Sequence, residues 1–179
     1  MSLKQLTHAI LALSALGVAA SASAQTHQMP AGMTHEEHQK QMAKDAELAK
    51  RGADAMGFDQ ALTTHHFILA ADGGSIEVTV KNASDTTNLD AIRTHLKEIA
   101  GQFAAGDFGK PLMTHGEAPD GVAAMVANKS AISYGFESLP TGGRVRLRTT
   151  DAAALDAVHK FLQYQIREHK TGDSLKPGI

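Results

Sequence analysis

LDAVHKFLQYQIREHKTGD, residues 155–173, has a counterpart in LDAIRTHLKEIAGQFAAGD, residues 89–107. Aligned without a gap, the two share Leu, Asp, Ala, Leu, Gly and Asp at six of nineteen positions, and Ile92 faces Val158. Apolar residues step by three and four along both: Leu89, Ile92, Leu96, Ile99 and Phe103 in one, Leu155, Val158, Leu162 and Ile166 in the other. That is the stripe of a helix docked on a core, and Asp85 and Asp151 are placed to cap the two helices. The repeat extends upstream. Gly73 and Gly74 precede Ile76, Val78 and Val80 as Gly142 and Gly143 precede Val145, Leu147 and Thr149. This is the alternation of half-buried strands, with each glycine pair expected in a hairpin turn. The chain therefore reads as a duplicated ββα unit: an α+β fold with a four-stranded antiparallel sheet, helices on one face, and an N-terminal helix ahead of it.

Residues 1–24 read as a secretory signal peptide. Lys4 supplies the positive end, residues 9–20 an apolar run too short to span a bilayer, and Ala22-Ser23-Ala24 a small-residue cleavage site. Cleavage after Ala24 or after Ala22 would export a chain of about 155 residues, enough for one domain with a real core. No later apolar run would anchor it, so the expected location is a bacterial periplasm without a stable membrane anchor. The segments are then an arm over residues 25–33, a helix over residues 34–57 and the duplicated domain over residues 58–179. A net charge of −2 argues against nucleic acid as a partner. There is no cysteine. In an oxidising compartment this removes disulfides and thiol chemistry, leaving His, Met and carboxylates for any transition-metal site.

Ten histidines, nine of them beyond the signal segment, and seven methionines supply such ligands. His27, Met29, Met33, His35, His38 and Met42 fall within sixteen residues, and imidazole with thioether suits Cu(I). Cleavage after Ala24 would also leave Gln25-Thr26-His27 at the terminus, whose amine, amides and imidazole could hold Cu(II) or Ni(II) in a square plane. The plainer reading is an exposed polar arm. Thr34 and Glu37 form a capping box for the helix to about Met56, on which His35, His38 and Met42 share a face. Within the domain, His65 shares the core side of a strand with Phe67, and His66 takes the other side. His95 and His159 flank the helical stripes, while His169 aligns with Phe103 and should point inward. Residues 105–118 read as a long loop carrying Met113 and His115, followed by a short helix over residues 119–128. A domain metal site would draw on His65, His66, His95, Met113, His115 and His159. Each of these histidines also has an ordinary structural reading, satisfied by one hydrogen bond. Arg144, Arg146 and Arg148 form a basic stripe that either binds an anion or partner, or is solvated charge against edge pairing.

The run MGFDQALTTHHFILAADGGSIEV, with IRTHLKEIAGQFAAGDF and HKFLQYQIREHKTGD, resembles a family of small uncharacterised exported bacterial proteins over nearly all the chain after Ala55. Some of that family carry the label aspartate carbamoyltransferase. This chain has no Ser-Thr-Arg-Thr-Arg phosphate loop and is too short for two nucleotide-sized domains, so the resemblance implies a domain boundary and no activity. GxSxG, HExxH, P-loop and GxGxxG signatures are absent too. Binding rather than catalysis is the expectation, with a histidine general base left open. Copper is the first cofactor expected; haem b, held by His or Met without a CxxCH attachment, is the alternative. A structural or partner-binding module using the basic strand is the third class of function, with a homodimer or a periplasmic protein as the partner.

Overall fold

The computed structural model describes residues 32–178. The signal segment lies outside the described residues, as do His27 and Met29 of the arm. The elements run α1 (His35–Met56), β1 (Thr63–Ala70), β2 (Gly73–Val80), α2 (Thr86–Ala105), α3 (Gly109–His115), α4 (Val122–Ala127), β3 (Ser133–Leu139), β4 (Gly142–Arg148) and α5 (Ala152–His169). The fold is α+β: four antiparallel strands in the order β1-β2-β4-β3, with helices packed on the sheet.

The duplication shows in the register. At the central β2–β4 pairing Ile76 stands opposite Val145, and these are the same position in the two repeats, so a pseudo-twofold axis passes between them. The repeats do not fold side by side. Helix α2 of the first repeat lies mainly over β3 and β4 of the second, while α5 lies over β1 and β2. Each hairpin is thus covered by the other repeat's helix, and neither ββα unit has its core alone. Phe67, Val78, Val145 and Leu147 from the sheet meet Ile92, Leu96, Phe103, Val158, Phe161 and Leu162 from the helices, all buried. Asp85 and Asp151 cap α2 and α5, accepting from the Asn88 and Ala154 amides at 3.1 and 2.8 Å.

Two expectations change. The glycine pairs open β2 and β4 instead of forming the turns. Their role is close approach, since a Cβ on Gly73 or Gly142 would collide with the Leu147 or Val78 carbonyl of the paired strand. Residues 105–118 are not one long loop, because α3 occupies the middle of them. Pro111 sits in the first turn of α3, where its missing N–H costs nothing.

The outer face of the sheet is polar. Arg144 Nε lies 2.6 Å from Glu77, Arg146 Nε 2.8 Å from Glu137, and Arg148 Nε 3.6 Å from Asp72, so carboxylates from the sheet's own strands and hairpin turn partner the basic stripe. The tail after α5 returns along β1. Asp173 Oδ2 accepts from the Phe67 N–H at 2.9 Å, and the Gly178 N–H donates to the Leu69 carbonyl at 3.3 Å, covering an edge that would otherwise offer unpaired groups.

Helix α1 is closed at its start by the Thr34–Glu37 capping box and at its end by Gly57 in the left-handed region, φ 74°. Arg51 donates to the Thr114 and His115 carbonyls of α3 at 3.0 and 3.4 Å. Lys44 pairs with Glu168 at 3.4 Å, and Asp45 pairs with Lys170. Among the described residues, the side-chain ties from α1 to the rest of the fold begin at Lys44.

Candidate functional site

A cavity of about 60 Å³ lies among the sheet, α2 and α5, bordered by α3 and by Met56 at the end of α1. Its walls follow from the duplication. Three pairs of repeat-equivalent residues line it: His95 with Phe161, Ile99 with Gln165, and Phe103 with His169. In every pair one partner is apolar and the other is His or Gln. Position for position the core is therefore the same, and polar groups replace carbon on one side of each pair.

His65 from β1 and His115 from α3 complete the set, so four imidazoles from four elements border one space. His169 is central, with its ring centroid 6.1 Å from that of His65 in a parallel stack and 5.1 Å from that of His115 at a steep angle. Phe58 lies between His65 and His95, at 5.8 and 5.6 Å. Gln165 Oε1 stands 3.0 Å from His115 Nε2. A proton on Nε2 donates to it and leaves Nδ1 as a lone pair. His115 Nδ1, His95 Nδ1, His65 Nε2 and Gln165 Nε2 are buried without a protein partner. Unpartnered buried polar atoms are costly, at about 1–3 kcal/mol each, and so call for an explanation.

Burial, which disfavours the cation, is the main reason these rings stay neutral. It pushes His65 and His95 down to about 4 and His169 to about 3, with neighbouring charges and rings adding to it. His115 is lowered as well, again by burial first. A neutral imidazole is the form that binds a metal or accepts a proton. His169 also borders two depressions on the surface, and His65 one of them. Gln60 lines both depressions and donates to the Ala49 carbonyl of α1 at 2.9 Å.

No family model, curated protein or solved structure matches this chain.

The expected ligands divide. His65, His95 and His115 line the cavity. His66 projects to the opposite face, where its Nδ1 lies 2.9 Å from Asp173 Oδ1. His159 Nε2 is shared between the Ala70 and Gly73 carbonyls at 2.9 and 3.1 Å, bracing the β1–β2 turn. Met113 is 62 % exposed. These three do not join the cavity set. Met33 precedes α1, and His35, His38 and Met42 lie within its first eight residues, Met42 being 45 % exposed. The residues absent from the expected set are His169, Gln165 and Met56. The alignment of His169 with Phe103 already pointed it inward, and Gln165 aligns with Ile99 in the same way; Met56 carried no signal beyond its helical stripe.

Among the described residues no group of three or more His, Cys, Asp or Glu is arranged to hold a metal ion. Two imidazoles sharing one ion through bonds of about 2.0–2.1 Å place their centroids roughly 5–6 Å apart. The separations about His169 fall in that range, whereas the parallel stacking of His65 does not aim its nitrogen at a common point.

Proposed function

We propose that this chain is an exported, periplasmic binding protein for a transition metal, copper first, acting in buffering, delivery or resistance. The observation that carries the reading is the cavity bordered by neutral imidazoles from β1, α2, α3 and α5, of which His65, His95 and His115 present buried nitrogens without partners. Such atoms are costly in the empty protein, and a metal ion would satisfy several at once. His65, His115 and His169 form the inner set, with His95 beside His65. The methionines and histidines of residues 27–42 would form an outer set suited to weaker capture. Haem is less well supported, because a cavity of about 60 Å³ is far below the roughly 300–1,000 Å³ of pockets that enclose larger ligands.

One observation favours a second reading. The cavity's walls are mainly apolar and its rings are not aimed at one point, which also suits a small neutral molecule hydrogen-bonded to an imidazole. Metal analysis and titration of the mature, untagged protein separate the two, using wild type beside His65→Ala and His169→Ala. Near-stoichiometric copper that survives dialysis and is lost in both variants supports the metal reading. Copper retained by both variants, or a protein that takes up no metal after copper challenge, overturns it.

A further inference from the structure

The cavity holds a fifth donor. Met56, the last residue of α1, lines the same space as His65, His115 and His169 and packs against the buried core. Its position is fixed from both sides. Behind it the Gly57 N–H closes the helix on the Ala53 carbonyl at 3.0 Å. Ahead of it Arg51 binds the Thr114 and His115 carbonyls, so the end of α1 and the segment carrying His115 are held together.

We infer that Met56 is the thioether ligand that, with the imidazoles of His65, His115 and His169, makes this site selective for a soft monovalent ion, Cu(I). The inference rests on the reading of the cavity as a metal site. Two arguments support the selectivity. Thioether sulfur is a soft donor that favours Cu(I), while Zn(II) gains little from it over water or carboxylate. The second argument is charge. Among the described residues no aspartate or glutamate lines the cavity, and the cation that does, Lys110, is paired with Glu98 at 2.9 Å. Every donor is neutral, so the ion's whole charge stays in an apolar surrounding. The cost of burying an ion rises with the square of its charge, which penalises a divalent ion far more than Cu(I). No redox step is involved, since the ion enters and leaves as Cu(I).

The test uses the full mature chain, with Met56→Leu, which keeps volume and removes sulfur, and Met113→Leu as a control at an exposed methionine outside the cavity. Anaerobic titration of Cu(I) against a chromophoric chelator is run beside titration with Zn(II), and circular dichroism verifies that each variant is folded. The expected result is a loss of at least roughly tenfold in Cu(I) affinity for Met56→Leu, no loss for Met113→Leu, and unchanged, weaker Zn(II) binding. At one equivalent of Cu(I), copper-edge X-ray absorption should show a sulfur neighbour in wild type that Met56→Leu lacks. Undiminished Cu(I) affinity in Met56→Leu, or Zn(II) binding tighter than Cu(I), overturns the role of Met56 while leaving a metal site in place. Binding that ignores His65→Ala and His169→Ala removes the metal reading itself.

Discussion

His169 stands where the first repeat has Phe103, and both line the cavity. Replacing a carbon ring by a buried imidazole sacrifices apolar burial and desolvates a polar group. His169→Phe should therefore raise stability by about 1 kcal/mol, the adjoining space accepting the larger ring, while abolishing binding at the site. A higher denaturant midpoint at neutral pH together with lost copper uptake would meet this expectation; a lower midpoint would show that the imidazole is a structural residue. This inward placement was legible because duplication gives each residue a reference, and position 103 is plainly core. His115 offered no such reference. It lies between the repeats, and its place depends on the αL end at Gly116 and on Arg51 arriving from sixty-four residues earlier. His66 and His159 were drawn into the expected set by residue type alone. Their actual partners, Asp173 and two turn carbonyls, are tertiary and leave no local pattern.

At the scale of elements, α1 is a cover tied on at a few points. Its apolar stripe is mostly alanine, so little of its docking comes from burial, and Arg51 is its main tie to α3. Arg51→Ala should cost about 1–3 kcal/mol and speed hydrogen exchange in α1 and α3 without changing that of β2 and β4. Uniform acceleration across the fold would contradict this local picture. The C-terminal tail makes a parallel case. Asp173→Ala removes the acceptor of the Phe67 N–H and the partner of His66, uncovering the β1 edge at a cost of about 1–3 kcal/mol. Light scattering should then show self-association by edge pairing; a variant that stays as dispersed as wild type would assign the tail no protective role. The strands and the two long helices were readable from period and caps. Helix α3 was not, because three glycines and Pro111 within residues 105–118 imitate a loop, and a proline in a first turn breaks nothing.

For the whole molecule, the crossed packing of α2 and α5 makes the two repeats one cooperative unit, so the histidines inside it report on global stability. Unfolded, His65, His95, His115 and His169 titrate near 6.5; folded, they are held below that, His65 and His95 at about 4 and His169 at about 3. The sign follows from proton counting. Between about pH 6.5 and 4 the unfolded chain binds protons that the fold refuses, so stability is full above pH 6.5 and falls as pH drops. Each histidine contributes a slope of up to about 1.4 kcal/mol per pH unit in that window. Lys110 and Arg51 act in the same direction on His95 and His115, while Glu98, Glu168 and Glu117 oppose them. Carboxylates such as Glu37 and Asp173 are held below their ordinary values, so their loss belongs to more acidic solutions. Denaturant midpoints between pH 7.5 and 4.5 should therefore fall steeply in wild type. His95→Phe, which installs the repeat-equivalent Phe161 side chain, should fall less by close to one proton's worth of slope. Equal slopes in the two proteins would mean that His95 is charged within the fold, which would also remove it from the neutral set on which metal binding depends.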